Sequence, residues 1–265
     1  MDFIQVIVLA LVQGLTEILP ISSSGHLILV PWLFGWPDQG LAFDVAMHMG
    51  TLVALLCYFR VEVLRYGCAF MRSLRLHTLD GDARLAWAIV VGTVPAAVVG
   101  VLLDDAASTT LRAASVVAVT TVVYAILLGA ADLFGQKTRD ETTITLRDGL
   151  IIGAAQALAL IPGTSRSGIT ITAGLALGLD RRGAARFSFL LSLPITAAAG
   201  VLKGVELARA TMPQPWLEMI LAAVVAGLAT YACVAVLLKF IQQIGLWPFV
   251  VYRLLLGAVL WIALA

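Results

Sequence analysis

Gln13-Gly-Leu-Thr-Glu17-Ile-Leu-Pro-Ile-Ser22-Ser23-Ser24-Gly25-His26 is a polar island in an apolar chain, and it has a near copy. The copy reads Gln156-Ala-Leu-Ala-Leu-Ile-Pro162-Gly-Thr164-Ser165-Arg166-Ser167-Gly168. At an offset of 143 residues Gln13 meets Gln156, Ser22 meets Ser165, Ser24 meets Ser167 and Gly25 meets Gly168, while Pro20 and Pro162 miss by one position. Around these islands the 265 residues are 61% hydrophobic and 12% charged, with a mean hydropathy of +1.00. A soluble domain carries about twice that share of charge, so the composition points to a single integral membrane domain over residues 1–265. Ionisable groups inside a membrane are costly, which makes those of the two islands functional candidates.

A helix needs about 20 apolar residues to cross a bilayer. Six stretches approach that length: about 43–60, 85–103, 113–134, 187–204, 217–240 and 245–265. Residues 1–35 and 148–179 differ, because each is an apolar run, a Pro/Ser/Gly break and a second apolar run, with neither half long enough to span. That is the pattern of a re-entrant hairpin, with kinked or interfacial helices as the plainer alternative. Broken backbone at membrane depth is tolerated only where protein or a watery cavity covers it. If each hairpin returns to its own side, Arg60, Arg65, Arg72, Arg75, Arg84, Lys137, Arg139, Arg147, Arg181, Arg182, Arg186 and Lys239 share one side, 12 of the 17 basic residues. Arg112, Lys203, Arg209 and Arg253 fall on or near the other, and Arg166 at a hairpin tip. The basic side is expected to be cytoplasmic, which puts both termini outside.

The expected fold is therefore an all-α integral membrane protein of six transmembrane helices and two re-entrant helical hairpins. One hairpin and three spans form each repeat, about 1–134 and about 148–265. Three being odd, the second repeat inserts upside down, an inverted-topology architecture typical of transporters. The net charge of +1 gives no case for a nucleic-acid partner. Cys57, Cys68 and Cys233 fit no metal spacing and read as packing residues. The N-terminus lacks the basic start and cleavage site of a signal peptide, so the spans themselves are expected to direct insertion.

At the first tip Gln13 and Glu17 are four apart and share a helix face. Pro20 breaks the helix, and the serines at 22–24 lie where the next one starts. Serine caps helix N-termini, whose free N–H groups and positive potential suit a phosphate. His26 follows within the first turn. At the second tip Pro162-Gly163 breaks the chain, Thr164 and Ser165 cap the next helix, and Arg166 offers bidentate hydrogen bonds to phosphate. If the tips meet, two helix N-termini and Arg166 surround one anion beside Glu17 and His26, a set suited to phosphoryl transfer or hydrolysis. The plain readings remain beside it: serines that merely cap, a Gln13 that bonds a neighbouring helix, a His48 that packs in its span, with a place facing the cavity as its alternative, a solvated His77 in a basic loop, and surface charges at Asp104 and Asp105. Glu17 resists such a reading, because a buried carboxylate needs a partner such as His26, Arg166 or a metal ion. Arg253 in the last stretch needs a partner or a snorkelling route.

On these residues the chain resembles the undecaprenyl-diphosphate phosphatase, or bacitracin-resistance, membrane family. The resemblance rests on Gln13-Gly-Leu-Thr-Glu17, Leu-Pro-Ile-Ser-Ser-Ser-Gly-His at 19–26, Pro-Gly-Thr-Ser-Arg-Ser-Gly at 162–168, Phe187-Ser-Phe-Leu-Leu191 and Tyr252-Arg253. It implies hydrolysis of the lipid undecaprenyl diphosphate to undecaprenyl phosphate. That would recycle a cell-wall lipid carrier in the bacterial cytoplasmic membrane and confer bacitracin resistance, with the site facing the outer side. It implies a divalent cation, Mg2+ or Ca2+, with Glu17 and Gln13 as tentative ligands. By position Glu17, Ser23, His26 and Arg166 are the implied catalytic residues, and Ser22, Ser24, Thr164, Ser165 and Ser167 the phosphate-binding ones. Ser23, His26 and water remain alternative nucleophiles, and a homodimer stays open. The competing reading is an inverted-repeat transporter or flippase of a lipid phosphate or small anion, in which Glu17 couples a cation. A purely structural role leaves Glu17 and Arg166 without purpose.

Overall fold

The structure, a computed structural model, describes residues 2–102, 114–209 and 215–264. Asp104, Asp105 and Arg112 lie outside the described residues. Among those described the chain is helical with no strands. In order the helices are α1 (Phe3–Thr16), α2 (Ser23–Phe34), α3 (Leu41–Tyr58), α4 (Arg60–Leu76), α5 (Gly81–Leu102), α6 (Ala114–Phe134), α7 (Leu146–Ala157), α8 (Arg166–Ala176), α9 (Arg181–Arg209), α10 (Trp216–Ile244) and α11 (Trp247–Leu264). Four of them, α5, α6, α9 and α10, are long and apolar enough to cross a membrane. The bent pair α3 and α4 makes a fifth candidate. α11 is apolar but shorter, 18 residues, or about 27 Å at about 1.5 Å per residue.

Residues 60–76 correct the expectation of a basic loop: they form α4, which turns by 80° from α3. The turn is at Phe59, a fully buried residue that ends α3 and starts α4. α4 is amphipathic, burying Tyr66, Ala69 and Ser73 at helical spacing while its arginines face outward. Arg186 from α9 ties it down through Glu62 (2.9 Å) and also holds Glu141 (2.5 Å). At the same end Arg84 reaches the Thr142 carbonyl and Arg181 pairs with the buried Asp132 at 2.6 Å.

Both expected breaks are present, and they are built alike. Ser22 (φ 76°) and Ser165 (φ 71°) adopt positive φ and cap α2 and α8, accepting from the N–H of Gly25 and Gly168. Ser22–Ser24 and Ser165–Ser167 each bring hydroxyls within 3.3 Å. Positive φ is strained for a residue with a side chain, by about 1–3 kcal/mol, and such strain marks functional sites. Thr164, expected to share the capping, does not cap: Ser165 alone accepts from the helix.

The broken segments pack on helices of the opposite half, α1 on α10 and α7 on α5. Large apolar side chains such as Val94, Val98, Ile126, Val224 and Leu228 stay exposed on the outer faces, as a lipid-facing surface requires. Lipid removes the hydrophobic drive between helices, so close approach of small residues carries the packing. A Cβ on Gly149 would lie 2.5 Å from the Ala88 carbonyl, one on Gly14 2.7 Å from the Ala229 Cβ, and those on Gly50 and Gly153 would overlap the carbonyls of Ala223 and Gly92. Gly67 in α4 faces open space. Gly50→Ala and Gly153→Ala are therefore expected to lower the thermal midpoint in detergent. Gly67→Ala should raise it, because glycine costs roughly 1 kcal/mol of stability inside a helix.

Candidate active site

Glu17 stands at the C-terminal end of α1, 9% exposed. Its two oxygens are engaged from different directions. Oε1 accepts from Arg166 Nη2 at 2.6 Å, a bond between residues 149 apart in sequence. Oε2 accepts from Ser23 Oγ at 2.7 Å and from Gln13 Nε2 at 3.2 Å. His48 Nε2, from α3, lies 3.6 Å from Oε2. The two breaks therefore meet, and Glu17, Ser23 and Arg166 come together as the sequence implied. At the offset that relates the two islands, Ser23 and Arg166 occupy the same place, so equivalent positions of the two copies hold the two oxygens of one carboxylate. The position equivalent to Glu17 is Leu160, so only one carboxylate is present.

His26 sits elsewhere in the cluster. Its Nδ1 is 2.7 Å from the Ser22 carbonyl, and its Nε2 2.5 Å from the Tyr252 hydroxyl, with the two rings stacked at 5.6 Å. The carbonyl accepts only if Nδ1 carries the proton, so Nε2 accepts from Tyr252. Glu17 is held by Arg166, Ser23 and Gln13, with His48 rather than His26 beside it. Tyr252 belongs to the Tyr252-Arg253 pair that the resemblance picked out, but no local motif marks His48, and only the fold brings it in.

Several polar atoms at the tips are buried without a hydrogen-bond partner among the described residues: Arg166 Nη1, Gln13 Oε1, Thr164 Oγ1 and the whole Gln156 amide. Such groups ordinarily have partners, and Arg166 Nη1 and Thr164 Oγ1 flank the start of α8, where an anion is expected. Ser22, Ser165 and Ser167 are buried, while Ser24 is exposed. Ser167 donates to the Leu19 carbonyl at 3.1 Å, a second bond between the tips.

Arg253 of α11 is fully buried and takes no snorkelling route. Its guanidinium donates to the carbonyls of Pro20 (3.2 Å), Gly163 (2.8 Å), Thr164 (3.0 Å) and Thr121 (3.3 Å). One side chain thus binds both breaks and α6. Removing it leaves buried acceptors unpaired, at about 1–3 kcal/mol each. Arg253→Met should strongly lower the thermal midpoint in detergent, and Arg253→Lys, with three donors on a single nitrogen, should restore only part of it.

The chain matches the family model of the bacitracin resistance protein BacA over residues 6–259. It is 55% identical over 260 residues to the undecaprenyl-diphosphatase of Nitrosococcus oceani, covering 98% of each chain. The undecaprenyl-diphosphatase of Hahella chejuensis is 53% identical over 258 residues, with 97% of each covered. That of Thioalkalivibrio sulfidiphilus is 53% identical over 261 residues, with 98% of each covered. Sharing half its residues with these proteins from end to end, the chain belongs to the BacA family of bacitracin resistance proteins.

Proposed function

We infer that this protein is an undecaprenyl-diphosphate phosphatase. It removes the terminal phosphate of a membrane-embedded prenyl diphosphate, leaving undecaprenyl phosphate and inorganic phosphate. The observation that carries the reading is the bond of the Ser23 hydroxyl to Glu17, whose other oxygen holds Arg166 from the opposite half. The relatives' name supplies the substrate. A carrier would need the charges, but it has no use for a hydroxyl held on a carboxylate.

The chemistry follows from the contacts. The diphosphate oxygens accept from the unpaired Arg166 Nη1 and from the free N–H groups at the starts of α2 and α8. Thr164 and the serines of the two caps supply further donors. Ser23 Oγ attacks the terminal phosphorus as Glu17 accepts its proton. The bond from that phosphorus to the bridging oxygen breaks, and undecaprenyl phosphate leaves with the oxygen. Arg166 is placed to offset charge on the transferring group. Water then attacks the phosphoserine, releasing inorganic phosphate and returning the hydroxyl. His26, held by Ser22 and Tyr252, orients the first turn of α2 that carries Ser23.

A divalent cation fits the donor set. Among the described residues no three His, Cys, Asp or Glu gather into a metal-binding group. Glu17 offers hard carboxylate oxygens, and the Gln13 amide beside it has an unpartnered oxygen that a rotation of the amide would bring to the same ion, which would also take oxygens from a diphosphate. When bound, the cation would neutralise phosphate charge.

The finer architecture belongs to the same reading: six spans and two re-entrant hairpins in one domain, as two inverted repeats. The matching serine caps at Ser22 and Ser165 and the exchange of α1 and α7 onto the opposite halves support it. The basic end formed by Arg84, Arg139, Arg181 and Arg186 suits the cytoplasmic face. On this reading both termini are outside and the site opens to the outer side of the bacterial cytoplasmic membrane.

Detergent-purified protein is expected to release phosphate from undecaprenyl diphosphate and to lose that activity in EDTA. Glu17→Ala, Ser23→Ala and Arg166→Ala should each lower the rate by about 100-fold or more while remaining folded. No release by folded wild type would overturn the enzyme reading.

A further inference from the structure

His48 is the one histidine whose ring nitrogen faces Glu17. Its Nδ1 lies 2.7 Å from the Asp44 carbonyl one turn back in α3. A carbonyl accepts only from N–H, so the proton of the neutral ring sits on Nδ1 and the Nε2 lone pair points the other way. There it meets Glu17 Oε2 at 3.6 Å, too far for a hydrogen bond. In the neutral ring two lone-pair atoms therefore face each other, an arrangement that a cation between them satisfies. An Nδ1–H donated to a backbone carbonyl is also the usual outer support of a metal-binding histidine. Beside the pair, Gln13 turns one end of its amide to Glu17, and its oxygen is buried without a partner.

We propose that His48 Nε2 completes the cation site of this protein with Glu17 and Gln13, making it a mixed nitrogen–oxygen site. The proposal rests on the reading above that a divalent cation binds at Glu17. Gln13 brings no charge to the site, and the imidazole supplies the stronger donor that a lone carboxylate lacks. A rotation of the Gln13 amide exchanges its nitrogen and oxygen and presents the unpaired oxygen to the ion. Imidazole nitrogen favours transition metals, whereas an all-oxygen set suits Mg2+, Ca2+ and Mn2+. The site should therefore prefer Mn2+ over Ca2+, and lose much of that preference without His48. His26 takes no part, because both its nitrogens are engaged by Ser22 and Tyr252.

The test is pulsed electron paramagnetic resonance on tag-free, EDTA-stripped protein loaded with less than one equivalent of Mn2+. Wild type should show modulation from a directly bound 14N nucleus, replaced by a 15N signal when histidine is isotopically labelled. His48→Gln should lose the nitrogen signal and weaken Mn2+ binding by roughly tenfold or more, with little change for Ca2+. His26→Gln should keep the signal. Bound Mn2+ without nitrogen modulation in wild type would overturn the proposal even if no variant folds. It would point to a protonated His48 acting only as a countercharge. Modulation that survives His48→Gln would also overturn it. If Glu17→Ala abolishes Mn2+ binding while wild type shows no nitrogen signal, the cation reading stands and His48 alone falls. Failure of wild type to bind Mn2+, with phosphate release indifferent to EDTA, would remove the cation altogether.

Discussion

A helix that stops at membrane depth leaves carbonyls and N–H groups where no water can satisfy them, and this protein stops two helices at one point. Arg253 answers that constraint. Its guanidinium bonds carbonyls of both breaks and of α6, with no carboxylate among its partners. A buried cation without a counter-anion is costly, and four carbonyl dipoles aimed at one group offset the cost. The arrangement makes α11 a clasp rather than a peripheral helix. Thr120, whose hydroxyl bonds the Pro162 carbonyl at 2.6 Å, closes the same region from α6.

With the breaks held, the serine caps tolerate their positive φ and turn two helix N-termini toward one volume. On the proposed mechanism the two copies divide the chemistry. One supplies the carboxylate and the hydroxyl, and the other, with Leu160 where a carboxylate would stand, supplies the guanidinium. Because the Glu17–Arg166 bond joins the two halves, the site exists only when they are docked. The glycine contacts at Gly14, Gly50, Gly149 and Gly153 govern that docking, so packing far from the chemistry has a direct claim on activity.

Much of this was legible in the chain. Apolar length marked the helices, and the Pro/Ser/Gly breaks marked both interruptions. Where the reading missed, the causes are specific. α4 carries four arginines, Arg60, Arg65, Arg72 and Arg75, and it resembles a basic loop because its buried face is only Tyr66, Ala69 and Ser73. His26 stands beside the serines in sequence but turns to Tyr252 in space, because its Nδ1 bonds the cap residue behind it. His48 lies in an ordinary apolar span and reads as packing until α3 is set against the end of α1.

The sequence by itself determined the class of solvent, the helices, the two capped breaks and the types of group at each tip. These depend on composition and on residues within a turn of one another. Only the tertiary structure decided which groups meet. The Glu17–Arg166 pair, the approach of His48 and the hold of Arg253 on Pro20 and Gly163 join residues far apart in the chain. The hydrogen bonds that select them exist only once small residues let the helices close on each other.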